Sequence, residues 1–187
     1  MSKISTIPLP IADLMLIERN HLSDPRGFFS RLFCANELKK TGWTKPIQQI
    51  NYTKTKHQGT IRGMHFQNDP FAEMKMVTCL QGSIFDVAID LRPESATFLQ
   101  WHGEILSLDN KRSLLIPEGF AHGFQTLEDD CELLYFHSEF YNQPSEAGIY
   151  FNDKKINIEW PAEITEVSLR DQSHPPLESN FQGVICK

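Results

Sequence analysis

The strongest constraint on the fold is the short spacing between turn-forming residues along this 187-residue chain. Turn-forming clusters at 24–27 (DPRG), 81–82 (QG) and 117–119 (PEG) interrupt short apolar or alternating runs. Along residues 84–91, apolar side chains fill one face, and the other face carries two aspartates. Many short strands with few helices indicate an all-β sandwich or barrel. Predicted strands cover residues 76–80, 84–91, 113–116 and 131–136.

Outside the strands, the sequence predicts little regular structure. One helix is expected around residues 35–41, with Gly42 as its stop. The length suits a single domain spanning residues 1–187. Residues 178–187 read as a loosely held tail.

Composition excludes several classes of function. A formal charge of -6 argues against a nucleic-acid partner, which normally demands a basic face. No apolar run approaches the ~20 residues of a membrane span, and the first residues lack the apolar core of a signal peptide. We therefore expect a cytoplasmic protein. The cysteines are scattered without a CxxC pair, which predicts free thiols rather than disulfides. They are Cys34, Cys79, Cys131 and Cys186.

Three segments carry residues that suit chemistry: RGMHFQ at 62–67, IPEGFAHGF at 116–124 and SLRD at 168–171. In a strand, Gly63, His65 and Gln67 share one face. Taken singly, a histidine in a strand, a Pro-x-Gly loop and a late Arg-Asp pair are more commonly structural or solvated. Their joint occurrence in this order favours a functional site.

A metal centre is not favoured by the spacing. Cupin proteins often hold a metal with two His and a Glu in a first motif and one His in a second. Here Phe66 and Gln67 follow His65, so only His65 and His122 remain as neutral ligands. Transition metals normally need at least three protein ligands. We therefore predict a site without metal or cofactor.

An acid/base set remains. Removing a proton beside a ketone needs a base with a pKa near neutral, a carboxylate to orient it, a donor for the enolate oxygen and a second acid for inversion. The sequence offers His65, Asp171, Lys75 and Tyr135 for these parts. Periodicity alone does not single them out from other residues of the same types.

The motifs together resemble the dTDP-4-dehydrorhamnose 3,5-epimerase family. Residues 59–67 are similar to its G-x-x-R-G-L-H-Y-Q, and residues 75–92 to its K-x-V…G-x-V-F-D-V-x-V-D-x-R. Residues 116–124 match its I-P-E-G-F-A-H-G-F, and residues 168–171 continue the series. The resemblance runs from about residue 24 to residue 176.

The resemblance implies a fold and an activity. The family fold is a cupin-type double-stranded β-helix, or jelly roll, with a few short peripheral helices, usually as a metal-free homodimer. Its members remove and return protons at C3 and C5 of a dTDP-linked 4-keto-6-deoxy hexose. Action at C3, at C5 or at both would use the same residues, because both carbons flank one ketone.

The resemblance also implies residue roles. His65 matches the base, Asp171 its partner, Lys75 the group beside the C4 oxygen and Tyr135 the acid on the opposite face. Asp86 falls on an inward position and is expected to support a histidine. The implied substrate-binding residues are Arg26, Phe29, Gln49, Asn51, Arg62, His122, Tyr141 and Arg170.

The N-terminal segment, about residues 1–50, is implied to join a homodimer by exchange, with Arg26 and Phe29 reaching the neighbouring subunit's site. Arg31 departs from the family motif, which has a Glu that accepts the thymine N–H. A guanidinium cannot accept a hydrogen bond. A different base, or a shifted register of this segment, would accommodate the change.

Three alternatives remain open. The first is 3,4-ketoisomerisation, although related cupins of that type tend to have a second His soon after the first. The second is a cupin that binds a nucleotide sugar without catalysis, which would not need the acid/base set. The third is a metal-dependent oxygenase, which the count of ligands disfavours.

Overall fold

The structure is a computed structural model that describes residues 4–186. Two large sheets and one small hairpin make up the fold. The first sheet has the order β1-β2-β10-β7-β12-β5, and the second has β13-β6-β11-β8-β9 with β14 also paired to β6. The strands are β1 (Ile4–Pro8), β2 (Met15–Arg19), β3 (Leu22–Asp24), β4 (Gly27–Phe29), β5 (Gln49–Thr55), β6 (Thr60–Gln67), β7 (Lys75–Gln81), β8 (Ser83–Asp90), β9 (Trp101–Ser107), β10 (Arg112–Ile116), β11 (Phe120–Thr126), β12 (Cys131–His137), β13 (Glu146–Gly148) and β14 (Glu166–Val167).

The predicted strands are confirmed, and each differs from its predicted bounds by at most one residue at either end. The pairing is antiparallel except between β14 and β6. Strands β3 and β4 form a separate two-stranded hairpin. The alternating runs and turn signals therefore located the central strands of both sheets.

Helices are few and short. The predicted helix is confirmed as α1 (Ala35–Leu38) followed by a 3₁₀ turn (Lys39–Thr41), and Gly42 ends it with a φ of 90°. A second 3₁₀ turn covers Gln143–Ser145, and α2 spans Leu169–Gln172. The prediction of an all-β chain with a few short helices is confirmed.

The two large sheets pack face to face around an apolar core. Leu114, Val77 and Leu133 of the first sheet meet Ile84 and Phe124 of the second in one buried cluster. Burying apolar surface in this way stabilises the folded state by about 25 cal/mol for each Å² removed from water. This core fills one part of the space between the sheets and leaves the rest as a cavity.

Parts of the outer faces of both large sheets are also covered, which explains why the face of strand β8 that points away from the central core is apolar. Val87 and Ile89 of β8 pack outward against Ile156 and Ile158 of the later chain. On the other sheet, a separate cluster packs strands β7 and β10 against α1 and the residues that follow it. The central strands of both sheets are therefore packed on both faces.

The expectation of a loose tail over residues 178–187 was wrong for the described part. Val184 is buried, and its backbone N–H donates to Leu91 O at 2.7 Å. Phe181 stacks on Phe98, with ring centroids 6.4 Å apart. The segment is anchored on the outer cluster of the second sheet, although its partners lie about ninety residues earlier in the chain. Lys187 lies outside the described residues.

The four cysteines are free thiols, as predicted, and Cys79 and Cys131 are buried. Within residues 4–186, no helix is long and apolar enough to cross a membrane.

Candidate active site

A cavity of about 790 Å³ opens between the two large sheets. Nine of the thirteen residues proposed from the sequence line it. The first sheet contributes Asn51, Lys75 and Tyr135, the second contributes Arg62, His65 and His122, and the later chain adds Tyr141, Arg170 and Asp171.

His65 and Asp171 form a close pair on one wall. His65 Nε2 lies 2.8 Å from Asp171 Oδ1, and Asp171 Oδ2 accepts the backbone N–H of Gly63 at 3.1 Å. Burial alone would raise the pKa of Asp171. The hydrogen bond and charge of His65, together with the Gly63 N–H, outweigh burial and hold this pKa below its usual range. Asp171 is therefore an anion that can orient and stabilise a protonated His65.

A short helix presents Asp171 to the cavity. Ser168 begins α2 by accepting the backbone N–H of Asp171 on its side-chain oxygen at 3.1 Å. This places buried Asp171 toward His65 while neighbouring Arg170 stays exposed. The Ser-x-x-Asp spacing was a readable signal for this helix, which the sequence analysis did not predict.

Glycines let strands β6 and β11 approach closely beside His65. A Cβ on Gly63 would lie 2.5 Å from Gly123 Cα, and one on Gly123 would lie 2.5 Å from Met64 Sδ. The ladder register shifts here, between His122 and Phe124. Strict alternation would point Arg62 away from His65. Because of the shift, both side chains line the cavity.

A second histidine–carboxylate pair lies beside the first. His122 is the cross-strand neighbour of His65, and its Nε2 lies 2.7 Å from Asp86 Oδ1. Asp86 is completely buried, and its Oδ2 finds no hydrogen-bond partner among the described residues. Burial raises the pKa of Asp86 despite the charge and hydrogen bond of His122. The expected contact of Asp86 with a histidine is thus present, and Asp86 itself lies behind the cavity wall.

Lys75 enters the cavity from the first sheet within a three-residue cluster. Its Nζ lies 3.0 Å from Glu73 Oε1, and Glu73 Oε2 lies 2.7 Å from His137 Nδ1. Burial would raise the pKa of Glu73, but the charge of Lys75 and the hydrogen bond of His137 lower it to about 2. Glu73 and His137 were not among the site residues predicted from the sequence. Their spacing was a signal, because His137 lies two residues after Tyr135 on the same face of β12 and Glu73 lies two residues before Lys75, just ahead of β7.

Tyr135 faces His65 from the opposite sheet. Its ring meets His122 edge-on and stacks on His137, with centroid distances of 6.2 and 6.0 Å. Burial and the nearby Asp86 raise the pKa of Tyr135. The phenol therefore keeps its proton at neutral pH and can donate it into the cavity.

Charged and polar side chains surround the mouth. Arg170 forms an ion pair with Glu146 at 3.0 Å, and Glu146 also accepts the hydroxyl proton of Tyr141 at 2.9 Å. Arg170 Nη2 lies 3.2 Å from His65 Nε2, so the mouth adjoins the His65–Asp171 pair. An anionic group at the mouth could compete with Glu146 for this guanidinium.

Four of the proposed residues do not line the cavity. Asp86 is one, and Gln49 stands beside the wall with its amide nitrogen 3.0 Å from Asn51 Oδ1. Arg26 and Phe29 lie on the β3–β4 hairpin, where Arg26 pairs with Asp24 at 2.6 Å. Both hairpin residues are largely exposed. Arg31 is engaged by Glu37 of α1 at 2.8 Å, away from the cavity.

His174 is a further residue that the sequence analysis missed. Its ring meets His65 edge-on at 5.5 Å, and its Nε2 lies 4.0 Å from Asp171 Oδ1. These three residues bring potential metal-ligand atoms within 4.8 Å of one another. A site that works without metal stays a prediction.

Fold and site together define a class of protein: a cupin-like β-barrel enzyme with a histidine–carboxylate pair on one wall of the cavity and a phenol on the other. The profile of the family described as dTDP-4-dehydrorhamnose 3,5-epimerase matches residues 8–179. The chain belongs to this family and is an isomerase of the epimerase type.

Individual relatives agree with this assignment. The chain is 42% identical over 174 residues to the dTDP-4-dehydrorhamnose 3,5-epimerase of Salmonella typhimurium, covering 92% of this chain and 94% of the relative. The crystal structure of the Bacillus anthracis enzyme with TDP and PPi bound matches with a TM-score of 0.89 and 40% identity, covering 93% and 99% of the two chains. A Legionella pneumophila 3,5-epimerase in complex with dTDP-4-keto-L-rhamnose matches with a TM-score of 0.88 and 36% identity, covering 92% of each chain. The predicted cupin-type fold is confirmed.

Proposed function

We propose that the cavity binds a dTDP-linked 4-keto-6-deoxy hexose and that the chain inverts its configuration at C3 and C5. The observation that carries this proposal is the placement of His65 and Tyr135 on opposing sheets with the cavity between them. Inverting a carbon by proton transfer needs a base on one face and an acid on the other.

His65 is the base of this proposal. A neutral imidazole takes the proton beside the ketone and becomes an imidazolium, which the Asp171 anion at 2.8 Å stabilises. Asp171 also fixes the orientation of the ring, because Gly63 and Ser168 hold Asp171 in place.

Lys75 stabilises the enolate. Removing a proton beside the C4 ketone moves negative charge onto the C4 oxygen, and a preorganised cation lowers the energy of that state more than it does in water. Lys75 is buried and held by Glu73, so its ammonium needs little reorganisation during the reaction.

Tyr135 returns the proton from the other face. Its pKa lies above the usual value, so it is a neutral phenol before reaction. Donation of this proton leaves a phenolate, which water then reprotonates to the phenol. The same base and acid serve C3 and C5 if the sugar ring shifts between the two steps.

The nucleotide half of the substrate is proposed to lie at the mouth of the cavity. Arg62 and Arg170 supply positive charge for the pyrophosphate, and the exposed ring of Tyr141 offers a stacking surface for the base. Tyr141 and Asn51 lie on the same side of the cavity as Lys75, which orients the sugar toward the catalytic groups.

A homodimer that exchanges N-terminal segments is part of the proposal. The β3–β4 hairpin leaves Leu22, Phe28 and Phe29 exposed by 51, 57 and 59% of their surface, which suits a segment that covers another subunit's cavity. Phe29→Ala should weaken dTDP binding about tenfold or more, since stacking a base on a ring contributes about 1–3 kcal/mol.

Titration calorimetry with dTDP tests the hairpin, with Ile105→Ala, at an exposed position of strand β9, as control. Sedimentation should show a dimer for both variants. Unchanged dTDP affinity in Phe29→Ala, or a monomeric wild-type protein, would contradict the exchanged dimer.

The cytoplasm is the proposed compartment. All four cysteines are free thiols, the state that reducing compartments favour. Fractionation of cells that express the chain would test this placement.

Proton NMR of dTDP-4-keto-6-deoxyglucose with the protein in D₂O tests the activity. We expect the C3 and C5 proton signals to disappear as a new product forms. Loss of one signal alone would restrict the reaction to one carbon. If neither signal changes with dTDP-, UDP- or GDP-linked sugars, the proposed reaction is wrong. The comparison of bases also tests whether Arg31 has altered base recognition.

A further inference from the structure

A continuous chain of hydrogen bonds runs along the first sheet toward Lys75. It begins at the mouth, where the backbone N–H of Tyr141 donates to Gln49 Oε1 at 3.1 Å. The Gln49 amide nitrogen then donates to Asn51 Oδ1 at 3.0 Å. These two contacts fix which end of each amide is the donor.

The chain continues through His137. Asn51 Nδ2 lies 3.4 Å from His137 Nε2, and His137 Nδ1 lies 2.7 Å from Glu73 Oε2. Because the amide nitrogen can only donate, His137 Nε2 must accept, and Nδ1 must carry the ring proton. The second oxygen of Glu73 meets Lys75 Nζ at 3.0 Å.

Every contact in this chain has its donor and acceptor in a consistent direction. The chain of contacts ends at Glu73. One carboxylate oxygen of Glu73 accepts a hydrogen bond from His137, and the other accepts one from Lys75. Glu73 and Lys75 expose 9 and 8% of their side chains, so water screens their ion pair weakly. The ladder supports this arrangement, since His137 pairs with Gln49 on one side and with Lys75 on the other.

We propose that Glu73 and His137 are positioning residues that connect the nucleotide end of the cavity to Lys75. This inference rests on the proposed function. A nucleotide that closes against Gln49 and Asn51 tightens the contact to His137, and Glu73 then holds the Lys75 ammonium at the C4 oxygen. The nucleotide thereby contributes to the chemical step as well as to binding.

The proposal predicts a separation of kcat from KM. His137→Phe keeps a ring to stack on Tyr135 but removes both ring nitrogens. Its kcat should fall about ten- to hundredfold, because misplacing a catalytic group by about 1 Å costs on that order. Its KM should stay within about threefold. His137→Gln keeps a donor and an acceptor, and it should recover part of kcat.

A matched control exists on strand β9. His102 lies 3.3 Å from Glu104 in another half-buried histidine–carboxylate contact, outside the residues that line the cavity. His102→Phe should leave kcat and KM unchanged. A purely structural role of His137 would lower the melting temperature without changing kcat of the folded protein.

A double-mutant cycle tests the connection itself. Asn51→Ala should lower kcat in the wild-type background and should have no further effect on kcat in His137→Phe. Independent, multiplying effects of the two substitutions on kcat would overturn the proposal.

Nitrogen NMR with labelled histidine gives a readout that does not require turnover. The signals of His137 are those missing from His137→Phe. We expect a neutral ring protonated at Nδ1 in the wild-type protein, and a shift in this tautomer in Asn51→Ala. A ring protonated at Nε2 would overturn the proposal. If the wild-type protein turned over no sugar nucleotide, the proposed function would fail, and the tautomer would still decide whether this chain of contacts exists.

Discussion

Two histidine–carboxylate pairs stand side by side at this cavity, and the pKa values of their carboxylates are shifted in opposite directions. His65 and His122 are direct neighbours on strands β6 and β11, and their Nε2 atoms lie 2.8 and 2.7 Å from Asp171 and Asp86. The pKa of Asp171 is lowered, whereas that of Asp86 is raised. Nearly equal N···O distances are therefore accompanied by opposite shifts in the pKa of the carboxyl group.

The difference comes from the remaining donors. Asp171 has a backbone N–H on its second oxygen and stands at the cavity wall, whereas the second oxygen of Asp86 finds no partner in the part of the chain that is described. Desolvation without compensating donors disfavours the charged form. Asp171, whose ionised form is favoured by its donors, therefore suits a base that must become an imidazolium better than Asp86 does.

The largest difference between the pairs should appear when each carboxylate is replaced by its amide. Asp171→Asn should lower kcat about 10³–10⁴-fold, since an amide neither stabilises an imidazolium nor favours the correct tautomer. Asp86→Asn should lower kcat about tenfold or less. The asparagine amide resembles a protonated carboxyl group, which is the form of Asp86 that burial favours. Steady-state kinetics at saturating substrate would measure both, and equal losses would remove the distinction.

Replacing Tyr135 tests the opposite wall. Tyr135→Phe removes the proposed acid but leaves the proposed base, so deuterium should still enter the substrate while formation of inverted product falls about 10²–10⁴-fold. Proton NMR in D₂O separates the two events. Tyr150→Phe, at an exterior tyrosine, is the control and should behave as wild type. Full inversion by Tyr135→Phe would assign the second acid to another residue.

The pairs should also affect stability in opposite directions. The usual pKa of an aspartate is 3.8, and the folded state lowers it for Asp171 and raises it for Asp86. Ionised Asp171 therefore stabilises the fold above pH 3.8, and this contribution is lost as the pH falls through the folded pKa. For Asp86 the sign is reversed, because stability declines as the pH rises from 3.8 through its raised pKa.

Thermal melting would detect this reversal. At neutral pH, Asp171→Asn should lower the melting temperature by about 2–4 °C, and Asp86→Asn should leave it unchanged or raise it. The difference in melting temperature between the two variants should become smaller as the pH approaches 4. A lower melting temperature for Asp86→Asn at neutral pH would show that ionised Asp86 is stabilising.

The sequence predicted the fold where local rules decide it. Strands such as β8 and β12 follow from alternation and turn residues, and the end of α1 follows from Gly42. The anchored C-terminal segment could not be predicted this way, because Val184 is fixed by Leu91, which is distant in the sequence. The same holds for the Arg62 side chain, whose direction depends on a register shift against another strand.

The residues of the candidate site could likewise be predicted only in part. Motif resemblance selected His65 and Asp171, which the structure brings together from positions more than one hundred residues apart. It did not select Glu73 or His137, because their partners are set by the pairing of strands β5, β7 and β12. Nor could any motif distinguish the pKa shift of Asp86 from that of Asp171, since the shift depends on burial and on the donors around each oxygen.

The most direct test of the contrast between the pairs is the rate at which solvent deuterium enters the substrate in His65→Asn and His122→Asn at saturating substrate. The two variants remove imidazoles that are direct cross-strand neighbours. We predict that His65→Asn abolishes exchange at C3 and C5, while His122→Asn keeps exchange within about tenfold of wild type. Undiminished exchange in His65→Asn, or its loss in His122→Asn alone, would contradict the assignment of the base.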